Sequence, residues 1–219
     1  MEELVKVEVL IADEHPIIRF GLKKMLDDCG DMALCGEAGD GHTTLELVRE
    51  RDWGLIVLDL SMPGRNGLEL IKMIKAERSR LPILVFSAHR EELYAVRAIH
   101  AGASGYLSKN ADSDLVLAAM RRVAGGRVFI SQKVTELLAT HPAQNTDRLP
   151  HTRLTDREYG IFSRIVSGAK LTDIADELSL SIKTVSTHKS HILDKMTLGG
   201  QVELVRYAIE HKLLDPARG

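Results

Sequence analysis

A chain of 219 residues with 29 Lys plus Arg against 31 Asp plus Glu, 44% hydrophobic and 27% charged, has the composition of an ordinary globular protein. Its length suits two small domains, each able to bury its own core, and a net charge of -2 excludes wholesale disorder and a polybasic tail. Apolar runs such as 55–58 and 83–86 fall far short of the ~20 residues of a spanning helix, so no membrane partner is expected.

The opening Met-Glu-Glu-Leu has no basic stretch followed by a long apolar one, so no secretory signal is read and the expected compartment is the cytoplasm. The first ~125 residues alternate β-branched runs with segments of helical period, the pattern of crossover units and a parallel sheet. The strands are expected at 5–12, 32–38, 54–60, 82–88 and 104–107. The helices fall between and after them, at 15–29, 42–51, 67–78, 90–101 and 112–124. The third strand is apolar at every position from Leu55 to Leu58, as a strand covered on both faces should be, and is expected to be central. Cys29 and Cys35, six positions apart, match no zinc or redox spacing and read as buried or half-buried thiols.

The pattern changes near residue 125. Gly125-Gly126 ends the fifth helix, a short strand-like piece at 128–130 and a helical stretch at 132–139 follow, and 140–152, with Pro142 and Pro150, reads as a linker. Beyond it only helices are expected. Thr155-Asp-Arg-Glu158 has the form of a capping box opening a helix to about Ser167, with Gly168 as its stop. Three more are placed at about 172–178, 182–196 and 201–211. The organisation expected is therefore a domain at 1–125, a connecting segment and linker at 126–152, and a helical domain at 153–219. Split at residue 146, the front carries 18 basic and 21 acidic residues and the rear 11 and 10. That mild asymmetry agrees with an acidic pocket in front and a weak polyanion binder behind.

In an open parallel sheet, ligands bind beyond the carboxyl ends of the strands. Those ends carry Asp13-Glu14-His15, Asp59-Leu-Ser61-Met-Pro-Gly64, Ser87-Ala88 and Ser108-Lys109. Three carboxylates so close repel one another unless a cation sits among them, and hard oxygen donors favour Mg²⁺ or Mn²⁺. The set suits phosphoryl transfer to a carboxylate: Asp59 as nucleophile, Lys109 as a second positive charge, Ser87 as hydroxyl donor, Asp13 and Glu14 for the metal. Each residue singly also suits a helix cap or a solvated surface; the five together at four strand ends do not.

These residues, the Asp13-Glu14 pair, Asp59 within D-L-S-M-P-G, Ser87 before Ala88, and Lys109 after Gly105-Tyr106-Leu107, make the front ~125 residues resemble the receiver domain of bacterial response regulators. The resemblance implies a flavodoxin-like (βα)5 fold with strand order 2-1-3-4-5 and phosphorylation of Asp59 by a sensor histidine kinase. It implies Mg²⁺ held by Asp13, Glu14, Asp59 and the backbone carbonyl of Ser61, and a switch in which Ser87 moves toward the phosphoryl group and Tyr106 turns inward. Glu14 stands where the family usually has Asp, and Ser87 where Thr is common.

In the rear, 171–178 and 182–196 read as a helix, a tight turn and a second helix, with Ile174, Ala175, Leu178, Ile182 and Val185 spaced to pack the pair and Ile192, Leu193 and Met196 kept for the core. The second helix offers Lys183, Thr184, Ser186, Thr187, His188, Lys189 and Ser190, short hydroxyls and lysines that suit a major groove. The spacing alone also fits a protein-binding bundle. Leu154-Thr155-Asp-Arg-Glu158, Ile174-Ala175, Ser181-Ile-Lys-Thr-Val-Ser-Thr-His188 and Ile192-Leu193-Asp-Lys195 are, however, similar to the LuxR-type DNA-binding domain, a four-helix helix-turn-helix. Receiver plus LuxR-type domain is the NarL/FixJ pattern. It implies that Ser186, Thr187 and Ser190 face bases, that Lys183, Thr184 and Lys189 meet phosphates, and that the chain, a regulator and not an enzyme, dimerises on activation to bind paired half-sites in double-stranded promoter DNA.

His188 and His191 have the spacing of a metal pair but no evident third ligand. Trp53 reads as a packing residue, and His15 before Pro16 as either a helix-start residue or an acid-base group near Asp59. Two rivals stand beside the main reading: an enzyme that turns over an aspartyl phosphate, and a regulator whose pocket is vestigial.

Overall fold

Five parallel strands, β1 (Val7–Ala12), β2 (Met32–Ala38), β3 (Leu55–Leu58), β4 (Ile83–Ser87) and β5 (Gly105–Ser108), form one sheet in the order β2-β1-β3-β4-β5. They belong to a computed structural model that describes residues 6–63, 66–140 and 149–214. Parallel neighbours need crossovers, and these are α1 (Pro16–Cys29), α2 (Gly41–Glu50), α3 (Gly67–Glu77) and α4 (Glu91–Ala101), with α5 (Ser113–Ala124) closing the series. Alternation along the strands sends Val9, Ile11, Leu55, Val57, Leu84 and Phe86 into one core with Leu22 and Leu26 of α1 and Val116, Met120 and Val123 of α5. Leu10, Ile56, Leu58, Ile83 and Val85, equally buried, serve the other face. All four residues of β3 are buried, and truncating one such side chain costs about 2–5 kcal/mol.

Local signals set the helix ends. Pro16 opens α1 and Gly30, at φ 72°, closes it, while Asp40, Asn66 and Asp112 cap α2, α3 and α5 through their side chains. Gly67 is demanded by contact, because a Cβ there would lie 2.5 Å from the Leu60 Cα, where α3 presses on the loop leaving β3.

Several boundaries differ from the sequence expectation. β3 stops at Leu58 rather than 60, and residue 5 of the expected first strand, like Gly64 and 141–148 of the expected linker, lies outside the described residues. Two compact units emerge, Met1–Glu136 and Leu137–Gly219, so their division falls inside the segment 126–152. The front of that segment packs on the sheet: Tyr106 N donates to Phe129 O at 2.9 Å, Phe129 N donates to Ser104 O at 3.0 Å, and Val134 of α6 (Gln132–Thr140) is buried.

The second unit holds α7 (Asp156–Val166), α8 (Leu171–Glu177), α9 (Ile182–Met196) and α10 (Gln201–Glu210), after a 3-10 turn at Pro150–Arg153 where only linker was expected. The capping box forms as read, with Thr155 Oγ1 accepting from Glu158 N and Glu158 Oε2 accepting from Thr155 N. Phe162, Ile165, Ile174, Ala175, Leu178, Val185, Ile192 and Met196 form the core. The buried Arg164 guanidinium donates twice to Glu177, at 3.0 and 2.6 Å, and once to Gly160 O at 2.9 Å, satisfying its charge. Ile182, expected to help pack α8 on α9, is instead 52% exposed at the first position of α9.

Candidate functional site

Ladder bonds running past the strand ends gather the pocket. Asp13 N donates to Ala38 O at 3.0 Å, Asp59 N to Ala12 O at 2.8 Å, and Lys109 N to Ser87 O at 2.9 Å. Each of these residues is thereby held one step beyond its strand, with its side chain at the carboxyl edge. Asp13 and Asp59 are both 2% exposed. Two carboxylates this deep need a cation, and Lys109 supplies it, its Nζ lying 2.6 Å from Asp13 Oδ2 and 2.8 Å from Asp59 Oδ2. The other oxygens differ. Asp13 Oδ1 accepts from His15 N at 2.9 Å and lies 3.2 Å from His15 Nδ1, whereas Asp59 Oδ1 is buried without a hydrogen-bond partner.

A buried acceptor left unmet costs about 1–3 kcal/mol or more when charged, and a divalent cation would meet it. Asp13, His15 and Asp59 each offer a ligand atom, all within 4.8 Å of one another. The donors therefore fit a metal ion. Two residues stand otherwise than the sequence suggested: Glu14 is exposed and outside this set, and His15, read as a helix-start or acid-base group, is inside it.

The expected switch residues lie beside the pocket. Ser87 is fully buried at the end of β4, its Oγ accepting from His89 N at 3.3 Å. Tyr106 is buried, and its hydroxyl donates to His89 O at 3.0 Å. Sequence reasoning missed His89, whose Nε2 lies 3.0 Å from Ser61 Oγ and whose ring stacks on Tyr94 at 4.4 Å. It thus touches the loop after Asp59, both expected switch residues and α4. Its place two residues past Ser87 was the available signal, but nothing in a local pattern shows a ring turning toward Ser61.

In the helical unit, α8 and α9 meet through a turn in which Ser179 is left-handed at φ 51° and Leu180 N donates to Ala175 O at 2.8 Å. Burial of Val185, Ile192 and Met196 leaves Lys183, Ser186, Thr187, Ser190 and His191 on the exposed face of α9. Thr187 Oγ1 donates to Lys183 O and Ser190 Oγ to Ser186 O, so both hydroxyls are held against the helix. Thr184 is half-buried, its N and Oγ1 engaged by the Ser181 cap at 3.1 and 2.7 Å. His188 and Lys189 are half-buried, and Lys189 Nζ donates to Gln201 Oε1 at 2.8 Å. Below this face, burial pushes the Glu158 carboxyl up, but the Lys195 ammonium at 2.7 Å and the Thr155 bonds outweigh it and hold the carboxyl below its ordinary value. That ion pair ties α9 to the start of α7.

Comparison with known proteins agrees with both halves. The pattern described as response regulator receiver domain matches residues 9–121, and that described as bacterial regulatory proteins, luxR family, matches residues 152–208. The chain is similar to Response regulator UvrY of Escherichia coli (strain K12), at 31% identity over 95% of this chain and 96% of that protein. It is also similar to Transcriptional activator protein ExaE of Pseudomonas putida, at 36% identity over 94% and 97%. Among solved structures, RcsB from Salmonella enterica serovar Typhimurium, bound to promoter rprA in the presence of phosphomimetic BeF3-, has a TM-score of 0.66 at 25% identity, over 92% of this chain and 98% of that one.

Proposed function

This chain belongs to the response regulators that join a receiver domain to a LuxR-type DNA-binding domain, and from that premise we propose that Asp59 is its phosphoacceptor. The chain is a DNA-binding transcription regulator of a two-component system, not an enzyme. The observation that carries the proposal is the Lys109 ammonium shared between the Oδ2 atoms of Asp13 and Asp59, with Asp59 Oδ1 buried and unmet beside it.

A carboxylate oxygen of Asp59 attacks phosphorus; the new O–P bond forms as the P–N bond of a phosphohistidine on a sensor histidine kinase breaks, and the imidazole leaves with the electron pair. Lys109 neutralises charge on the transferring group, and the Ser87 hydroxyl offers a hydrogen bond to a phosphoryl oxygen. Asp13, Asp59 and the Ser61 carbonyl, with Glu14 alongside, would hold Mg²⁺ or Mn²⁺, whose charge stabilises the equatorial oxygens of the phosphoryl group. Ser87 and Tyr106, both joined to His89, then form the switch that reports the new charge to the outer surface.

The receiver domain is assigned to 1–125, the connection to 126–152 and the DNA-binding domain to 153–219. On DNA, Ser186, Thr187 and Ser190 face base edges, with His188 on the same helix, while Lys183, Thr184 and Lys189 neutralise or bond phosphates. A homodimer formed on activation would read paired half-sites about 34–36 Å apart on double-stranded promoter DNA. The bacterial cytoplasm, where such DNA resides, is its place of work.

The test is the intact mass of wild type and Asp59→Ala after incubation with a small-molecule phosphodonor and Mg²⁺. One phosphoryl increment in wild type and none in the variant is the expected result. Equal labelling of both would refute Asp59 as acceptor.

A further inference from the structure

Building on the reading of this pocket as a metal-assisted phosphoacceptor site, we propose that His15 binds the cation directly through Nδ1, so that the site favours divalent transition ions over Mg²⁺. Lys109 occupies the Oδ2 atoms of both Asp13 and Asp59. A metal is therefore left the Oδ1 side. On that side Asp59 Oδ1 is buried with no partner, and Asp13 Oδ1 faces His15 Nδ1 at 3.2 Å.

The spacing is that of a coordination shell. With octahedral bonds of about 2.1 Å, adjacent ligand atoms sit about 3.0 Å apart and opposite ones about 4.2 Å. The His15–Asp13 separation of 3.2 Å fits an adjacent pair, and the 4.8 Å limit on the three-residue set is within a small contraction of an opposite pair. Glu14 is exposed and outside that set, whereas the imidazole of His15 stands within it.

The ring needs little ordering to serve. His15 N is already bonded to Asp13 Oδ1 at 2.9 Å, and Pro16 follows it at the head of α1, so the backbone is fixed. Its side chain is 55% exposed. The tautomer with the proton on Nε2 can thus point its Nδ1 lone pair inward and keep Nε2–H in water. Mg²⁺ demands hard oxygen ligands and sheds water reluctantly, whereas the later first-row ions accept imidazole readily. A nitrogen donor in this shell therefore discriminates between the two.

The experiment titrates the full-length chain with Mg²⁺ and with Co²⁺ by calorimetry, for wild type, His15→Ala and Asp13→Asn, and records the proton NMR spectrum of each Co²⁺-loaded protein. The expected result is that His15→Ala weakens Co²⁺ about tenfold or more while Mg²⁺ changes by less than about threefold, and that a hyperfine-shifted ring N–H signal of wild type disappears. An equal loss for both ions would make His15 an outer-shell group that orients Asp13, and would overturn the proposal. Unchanged affinities in His15→Ala would overturn it too. Failure of the underlying reading looks different: wild type would bind neither ion, or Asp13→Asn would bind both as wild type does.

Discussion

In the receiver unit the candidate functional side chains are buried charges, with Asp13 and Asp59 sharing Lys109 inside the carboxyl edge of the sheet. In the helical unit they are exposed hydroxyls and cations, with Lys183, Ser186, Thr187 and Ser190 on the outer face of α9. The difference governs how each responds to change. Buried charges depend on one another, so removing one strands the rest and the effects are large and non-additive. Residues on a solvated helix face act nearly singly, and their effects are graded and salt-dependent.

The contrast is broken most sharply at Lys109. Lys109→Ala leaves two buried carboxylates facing each other without their cation, and should cost about 3–5 kcal/mol of stability together with phosphoryl uptake. Added Mg²⁺ should raise its unfolding midpoint by more than that of wild type. An unfolding midpoint equal to that of wild type without metal would show that the pocket does not rely on this charge.

Next comes the support beneath the exposed face. Ile174 is fully buried under the helix pair, and Ile174→Ala should cost about 2–5 kcal/mol and reduce DNA binding. Phosphoryl uptake at Asp59, measured by mass, should be unchanged; its loss would mean that the two functions share one core.

A smaller effect belongs to Lys189 of α9, half-buried and bonded through its ammonium to Gln201. Lys189→Ala should weaken binding about equally across DNA sequences and flatten the salt dependence by roughly one unit of slope. A loss confined to one sequence would instead put Lys189 on a base edge.

Smallest is an ion pair of the receiver unit that behaves as surface chemistry does. The Arg121 guanidinium, bonded to Asp31 at 2.8 and 3.0 Å, outweighs a modest effect of burial and draws the Asp31 carboxyl from its ordinary 3.8 down to about 2. A carboxyl depressed in the folded state contributes stability above its unfolded value, lost as pH falls through its folded one. The pair is half exposed, so screening leaves under about 1 kcal/mol, present above about pH 4 and fading toward pH 2. Arg121→Ala should remove that part of the acid dependence of unfolding, and a pH profile identical to wild type would deny the pair any role.

Much of this was legible along the chain. The alternation of apolar runs and helical periods located all five strands and their helices to within a few residues, and strand ends named Asp13, Asp59, Ser87 and Lys109 as neighbours. The capping box at Thr155 and Glu158 was equally plain, because it is local. What escaped was set by contacts between distant segments. Phe129 joins the sheet through bonds to Ser104 and Tyr106, His89 reaches Ser61 across 28 positions, and Ile182 stands exposed at the start of α9.

The order of amino acids alone carries the two-part architecture and the chemical character of each part, since hydrophobic period follows from backbone geometry and a parallel topology tells which residues stand at the strand ends. Tertiary contacts settled that the His15 ring lies 3.2 Å from Asp13 Oδ1, and that Lys109 takes the Oδ2 atoms while Asp59 Oδ1 is left unmet. Adjacent residues of an irregular turn differ in which way they point, and that direction is settled by packing and charge balance among segments far apart in the chain.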